Sequence, residues 1–198
     1  MDLCTYHSHC NFCDGKAPAE DFVKAAIEAG FHSYGISSHS PLPFETRWSL
    51  SKGNVEAYLT EIKRLQEKYA GQIELYVGME IDYLSDEWGP VVEYFQRMPL
   101  DYRIGSVHLV TEEKTDEIMD MDGKFEDFRE NLRLVFHDDL KYLVEAYFKA
   151  SSRMVELGGF DFVAHLDKIS MNGSLVDSTL TEQGWYNRLL WDYMSLIA

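Results

Sequence analysis

The sequence predicts an α/β fold, a single domain of residues 1–198 in which strands and helices alternate. The apolar pattern switches repeatedly between the two-residue period of strands and the longer period of amphipathic helices. With 45% hydrophobic residues among 198, the chain can bury a core without help from disulfides. We therefore expect parallel strands joined by right-handed crossovers, with a ligand site at their carboxyl ends.

The predicted strands are apolar runs that end in side chains able to bind metals. In chain order they cover residues 3–9, 33–39, 73–82, 103–110 and 160–165. The side chains at or close to their ends are, in the same order, His9, His39, Glu80, His108 and His165. A barrel of parallel strands would bring these ends together in space.

Helices are predicted between the strands from apolar residues at helical spacing. Pro18 opens the first helix and Gly30 ends it. Asn54 is a candidate N-cap for the second helix, and Gly71 ends that helix. Later helical segments cover residues 91–98, 125–157 with a break near Asp138-Asp139, and 185–197. No strand is predicted after the last segment, so we expect the final βα unit to be incomplete.

The charge balance argues against a nucleic-acid or membrane partner. The formal net charge is −16, from 34 acidic and 18 basic residues, so most of the surface would repel a phosphate backbone or an anionic bilayer. No run reaches the length of a membrane span, and the first residues lack the pattern of a signal peptide. We expect a cytoplasmic protein.

The pair His7 and His9 is the first strong indication of a metal site. Residues two apart on a strand point to the same side, so both imidazoles can reach one ion. This strand should be buried in a parallel sheet, where unpaired imidazoles would be costly. By contrast, His32 and His137 lie in a predicted loop and helix, and we place them outside the site.

Glu80 is surrounded in sequence by apolar residues, between Met79 and Ile81. An ionised carboxylate in such a setting needs a cation or strong hydrogen bonds, and its two oxygens could link two ions. The alternative is a buried salt bridge with a residue such as Arg103. We favour a metal ligand.

The three cysteines, Cys4, Cys10 and Cys13, lie close together near the start of the chain. Their odd number argues against a disulfide framework, and the C-x-x-C spacing lacks the second pair of a zinc ribbon. We expect structural thiols near a metal pocket, with a ligand or redox role as the alternative. Asp14, which precedes Gly15, is either a turn residue or an oxygen ligand.

Together these segments resemble the polymerase and histidinol phosphatase superfamily, or PHP, and most closely its bacterial histidinol-phosphate phosphatases. The motifs that carry the resemblance span nearly the whole chain in the expected order. They are residues 7–15 (HSHCNFCDG), 37–44 (SSHSPLPF), 78–83 (GMEIDY), 101–108 (DYRIGSVH) and 165–168 (HLDK). An isolated H-x-H would be weak evidence, whereas five ordered motifs are strong.

The resemblance implies a distorted (β/α)7 barrel that binds up to three divalent ions (Zn, Mn or Fe) and hydrolyses L-histidinol phosphate. The implied metal ligands are His7, His9, Asp14, His39, Glu80, His108 and His165. Glu80 and His108 are expected to act in catalysis through hydroxide generated by the ions. The products would be L-histidinol and phosphate.

A basic side chain near the mouth of the site should help to bind the phosphorylated substrate. Arg47, in the loop after His39, is our candidate because a guanidinium can hold phosphate in a bidentate manner. The alternative is a solvated loop arginine. Lys168, next to His165, is a weaker candidate.

The sequence departs from the family pattern at its C-terminus. The family continues with a further strand and an Asp-x-His motif, and neither follows His165 here. We therefore expect a PHP domain that lacks the final strands, whose open barrel edge could support a homo-oligomer. Three alternatives remain: an inactive metal-binding or interaction protein of the PHP fold, and, more remotely, another PHP phosphoesterase or a zinc amidohydrolase.

Overall fold

The structure is a computed structural model that describes residues 2–198. The chain forms two compact units. The first contains the chain up to Ile81 together with Glu93–Ile104 and Gly159–Phe162, and the second contains Asp82–Val92, Gly105–Gly158 and Val163–Ala198. The assignment of residues 1–198 to a single domain stays a prediction.

The strands form one five-stranded sheet and one hairpin. They are β1 (Leu3–Thr5), β2 (Phe31–Ile36), β3 (Glu74–Asp82), β4 (Tyr102–Ser106), β5 (Leu109–Thr111), β6 (Ile118–Asp120) and β7 (Phe162–Val163). The sheet has the order β1-β2-β3-β4-β7, and β2 pairs in parallel with both β1 and β3. Strands β5 and β6 form the antiparallel hairpin. The predicted α/β class is confirmed.

The helices follow the predicted order. They are α1 (Ala19–Glu28), α2 (Val55–Lys68), α3 (Glu93–Gln96), α4 (Phe125–Val135), α5 (Leu140–Leu157), α6 (Ile169–Val176) and α7 (Gly184–Ile197). Of these, α6 was not predicted. Within residues 2–198, no helix has both the length and the apolar character needed to cross a membrane.

The predicted break in the long helical stretch is confirmed. His137 and Asp138 adopt positive φ angles of 55° and 65°, which end α4. Asp139 then begins α5, because its side chain accepts the Tyr142 N–H at 2.9 Å. Asn54 is the N-cap residue of α2, as predicted, but its side chain makes no capping hydrogen bond.

Most of the strands are shorter than predicted, since β2 ends at Ile36 and not at residue 39, and β7 covers only Phe162–Val163 of the predicted 160–165. Strand β1 ends at Thr5, so His7 and His9 follow the strand instead of forming part of it. The strand predicted at 103–110 is divided, because β4 ends at Ser106 and Leu109 begins the hairpin. In the hairpin turn, the Glu112 carboxylate accepts the N–H groups of Lys114 and Thr115 at 2.9 and 2.7 Å, an arrangement that alternation of apolar residues does not reveal.

In the first unit, a tyrosine ring packs directly against two glycines of the sheet. The Tyr102 ring lies so close that a Cβ atom at Gly78 would be 2.2 Å from it, and one at Gly35 would be 2.2 Å from its hydroxyl. That hydroxyl donates to the Tyr6 carbonyl oxygen at 2.5 Å. Because Gly35 of β2 and Gly78 of β3 have no side chain, there is room for the Tyr102 ring of β4.

Part of the core of the second unit is an aromatic cluster between α5 and α7. Phe148 of α5 packs against Tyr186 and Tyr193 of α7, with ring centroids 5.6 and 6.1 Å apart. All three side chains are buried. Burial of such large rings is the main source of stability that this pair of helices can supply.

Candidate metal centre

Strand pairing in the first unit brings Glu80 next to His39. The two residues form a parallel bridge beyond the end of β2, in which the Glu80 N–H donates to the Ser38 carbonyl at 3.1 Å. The Ser40 N–H donates in turn to the Glu80 carbonyl at 2.7 Å. Because the backbone of both segments is fixed by the sheet, the two side chains are held at one position.

Three imidazoles surround a single oxygen of Glu80. Oε2 lies 3.1 Å from Nε2 of His7, 3.2 Å from Nε2 of His9 and 3.2 Å from Nδ1 of His39. The two Nε2 atoms of His7 and His9 are 3.1 Å apart. The Glu80 side chain is 1% exposed, so this carboxylate is removed from water.

The spacing of these atoms suits a divalent cation. Tetrahedral ligands at about 2.0–2.1 Å from zinc lie roughly 3.3 Å from one another, close to the separations among His7, His9 and Glu80. A buried carboxylate also requires a positive partner. The Arg103 guanidinium, considered above for that role, caps α3 by donating to the carbonyl oxygens of Phe95, Gln96 and Met98.

A second group of donor atoms in this unit involves Asp14. Its Oδ1 lies 3.2 Å from Nδ1 of His9, and its Oδ2 lies 3.8 Å from Nε2 of His39. His9 and His39 therefore each present one ring nitrogen to Glu80 and the other to Asp14. This pattern fits either two neighbouring ions or one ion whose imidazole ligand is oriented by a carboxylate.

Cys13 lies beside His9 and Asp14. Its Sγ is 3.5 Å from Nδ1 of His9 and 3.5 Å from Oδ1 of Asp14. Burial would raise the pKa of the Cys13 thiol, but hydrogen bonds from His9 and Ser38 lower it overall. In contrast, Cys4 is exposed and the buried Cys10 contacts the Ser38 hydroxyl at 3.4 Å.

The acceptor side chains around His9 raise the pKa of its imidazole. Burial lowers the pKa of His9, but hydrogen bonds with Cys13 and Glu80 raise it by more, to about 10. A group of acceptors that holds a proton this firmly will also attract a divalent cation, which competes with the proton for the same ring.

In the second unit, His108 and His165 face each other. Their Nε2 atoms are 2.9 Å apart and their rings meet edge to face. On the far side of the His108 ring, Nδ1 lies 2.8 Å from Oδ1 of Asp82. A carboxylate that accepts the Nδ1 proton fixes the tautomer in which Nε2 is the available metal ligand.

Asp82 is a carboxylate beside the candidate site to which the sequence reasoning gave no role. It is fully buried, and its Oδ1 also accepts the backbone N–H of His108 at 2.9 Å. A signal was present, because Asp82 follows Glu80 by two residues on a strand and therefore lies on the same side of it.

The candidate phosphate-binding residues occupy different settings. Arg47 is exposed, and the next residue, Trp48, packs edge to face on His39 with ring centroids 4.9 Å apart. Lys168, in the second unit, lies 2.9 Å from Oδ2 of Asp122. Met121, the residue before Asp122, donates its N–H to the carbonyl of His108. The segment that carries Asp122 is therefore hydrogen-bonded to the segment that carries His108.

The two histidines excluded on sequence grounds lie in other surroundings. His32 is exposed, with its ring nitrogen 3.8 Å from a Glu74 oxygen. His137 lies at the turn between α4 and α5.

The chain is similar to several known proteins. A protein from Deinococcus radiodurans named "Probable histidinol-phosphatase" is 25% identical over 168 residues. The match covers 83% of this chain and 60% of that protein, so the chain spans less than two thirds of the length of this relative.

Two solved structures share the fold. The structure of a protein from Listeria monocytogenes assigned as a histidinol phosphatase has a TM-score of 0.79 at 22% identity, over 98% of this chain and 78% of that one. A histidinol phosphate phosphatase from Lactococcus lactis, solved with zinc, L-histidinol and phosphate, has a TM-score of 0.50 at 18% identity, over 98% and 81%. The model of the PHP domain family matches residues 5–197, and the chain therefore belongs to the PHP domain family.

Proposed function

We propose that this chain carries a metal-dependent phosphomonoesterase centre that hydrolyses L-histidinol phosphate to L-histidinol and phosphate. The observation that carries the proposal is the convergence of three imidazoles on Oε2 of the buried Glu80, at 3.1–3.2 Å. Such a donor set suits Zn, Mn or Fe. The names of the relatives point to the substrate.

The ligands fall into three groups. His7, His9 and Glu80 would hold one ion, and Asp14 and His39 a second. His108 and His165 would contribute to a third. When bound, divalent ions supply an activated water and stabilise charge on the phosphoryl oxygens. We expect Glu80 and His108 to act in catalysis by holding the ions that supply this activated water.

Residues around the ligands would act on the substrate and on the orientation of the imidazoles. Asp82 accepts the Nδ1 proton of His108, which leaves Nε2 as the ring nitrogen that can bind an ion. Arg47 is the proposed contact for the phosphate group, for which a guanidinium is suited, and Lys168 is the weaker candidate. Because Lys168 is paired with Asp122, its ammonium is held in place before substrate binds.

The experiment is a phosphate-release assay on the full chain loaded with Zn, Mn or Fe. We expect turnover of L-histidinol phosphate, loss of turnover in Glu80→Gln, and a raised KM in Arg47→Met. Glu74→Gln, an exposed carboxylate on the same strand, is the matched control. Metal-loaded wild-type protein that releases no phosphate from L-histidinol phosphate would contradict the proposal.

The last outcome would favour the other interpretation of the same site, a PHP domain that binds metal without turnover. The match covers 60% of the length of the Deinococcus radiodurans protein, so the activity of such a relative is carried over here only as a proposal. A cytoplasmic location, self-association and the lack of a nucleic-acid partner stay predictions.

A further inference from the structure

We infer that Cys13 supplies a thiolate ligand to the ion held by Asp14 and His39. The inference goes beyond the proposed phosphatase activity, because it concerns which donor atoms bind the ion and not what the ion does. It rests on the proposal that this site holds a divalent ion. The contacts of Cys13 with both Asp14 and His9 carry it.

The separations of Cys13 and His39 from the Asp14 carboxylate are close to those of ligands on one metal ion. Zinc with a sulfur at about 2.3 Å and an oxygen at about 2.1 Å places the two ligand atoms roughly 3.6 Å apart, and a nitrogen and an oxygen roughly 3.4 Å apart. The observed distances are 3.5 Å from Cys13 Sγ to Asp14 Oδ1 and 3.8 Å from Asp14 Oδ2 to His39 Nε2.

The backbone holds Cys13 and Asp14 in a tight turn. The N–H groups of Cys13 and Gly15 both donate to the Cys10 carbonyl, at 3.0 and 3.1 Å. At Gly15 a Cβ atom would lie 2.5 Å from the Cys10 backbone, so the turn requires glycine there. Because the turn is fixed, Sγ stays beside the carboxylate and does not depend on a flexible loop.

The Cys13 sulfur makes hydrogen bonds of its own: it lies 3.5 Å from two acceptors, the Cys10 carbonyl and Oδ1 of Asp14, and it also has hydrogen bonds with His9 and Ser38. Bound to an ion, the sulfur gives its proton to solvent and forms a sulfur–metal bond with a lone pair, with no change of oxidation state. Its soft character would favour Zn, Co or Cd over Mn at this position.

Cobalt(II) is a direct probe of the inference, because thiolate ligation produces a sulfur-to-cobalt charge-transfer band in the near ultraviolet. We expect this band when the reduced full chain is titrated with Co(II) without oxygen. Cys13→Ser should lose the band and bind zinc at least tenfold more weakly, while Cys4→Ser, an exposed cysteine, should keep both properties.

Alkylation by iodoacetamide provides a second measurement that does not depend on a variant. Zinc should protect Cys13 but leave Cys4 reactive, as located by mass spectrometry. The inference is overturned if Co(II) binds with its visible d–d bands but without the charge-transfer band, or if the band survives in Cys13→Ser. Absence of all cobalt bands would overturn the metal site itself, which separates the two failures.

Discussion

The Oδ1 atom of Asp82 accepts two hydrogen bonds from His108, one from the backbone N–H at 2.9 Å and one at the ring Nδ1 at 2.8 Å. One oxygen therefore fixes both the position and the tautomer of the ring. The Nε2 atom of His108, which faces His165, is left as the metal-binding nitrogen.

Replacement of Asp82 by asparagine should weaken metal binding without removing a ligand. Loss of such an outer carboxylate typically lowers metal affinity by about 10- to 100-fold. We expect Asp82→Asn to bind zinc more weakly in competition with a chromophoric chelator, and its His108 ring nitrogens to lose the fixed tautomer in 15N NMR spectra.

Asp116→Asn is the control for that variant, because Asp116 is exposed and its φ of 60° is one that asparagine tolerates. Equal zinc affinity in Asp82→Asn and Asp116→Asn would show that Asp82 does not act on the metal through His108.

Removal of the charge of Glu80 should abolish binding of the ion that His7, His9 and Glu80 would hold. Three imidazoles converge on Oε2 of Glu80, so Glu80→Gln takes away the shared anionic ligand while it keeps the shape of the side chain. We expect fewer metal ions per chain by mass spectrometry of the metal content, with Glu74→Gln unchanged. An unchanged metal content in Glu80→Gln would contradict this assignment.

Gly78→Ala should destabilise the sheet of the first unit. Its new Cβ would lie 2.2 Å from the Tyr102 ring, which packs between strands and cannot move away freely. Forcing extra volume into a packed core costs about 1–3 kcal/mol of unfolding free energy, measurable by urea denaturation.

Gly53→Ala is the comparison for Gly78→Ala, because nothing lies within 4 Å of a Cβ atom at Gly53. We expect a change in unfolding free energy within about 0.5 kcal/mol for this variant. Similar losses in both variants would mean that the Tyr102 contact is not the cause.

The hairpin turn of the second unit should make stability depend on pH in the acid range. The hydrogen bond from the Tyr142 hydroxyl, and further bonds from Lys114 and Thr115, lower the pKa of Glu112 to about 2. The pKa in the unfolded chain is about 4.3. The stabilisation is therefore complete above the unfolded value and is lost as the pH falls through the folded value.

Urea unfolding at a series of pH values between neutral and acid tests this dependence. Glu112→Gln should be less stable at neutral pH and should lose less stability on acidification than the wild type. The exposed Glu126→Gln should follow the wild-type curve. A Glu112→Gln curve parallel to the wild type would exclude Glu112 as the source.

The sequence predicted the order of the five sheet strands and of all helices except α6, because periodic burial is a local property. Pro18, Gly30 and the Asp138-Asp139 break all mark helix ends that the structure contains. The divided strand near Ser106 was not predictable in this way, because the hairpin turn depends on the side-chain contacts of Glu112. Those contacts have no periodic signature.

The candidate site residues were proposed from residue type and position. The side chains that contact them, such as Asp82 beside His108, could not be proposed in this way. His7, His9, His39 and Glu80 were proposed as ligands, and the structure places them together within the first unit. Asp82 was missed because a carboxylate near a strand end could equally be a surface residue until its histidine partner is known. Sequence alone also could not place Cys13 beside Asp14.

The fit of the Tyr102 ring over Gly35 and Gly78 ties three positions from three different strands to one another. A side chain gained at either glycine would be tolerated only after the tyrosine had become smaller, and a smaller residue in place of the tyrosine would leave a cavity until a glycine had changed. These three positions should therefore covary during evolution, so that related proteins either keep all three residues or replace them together.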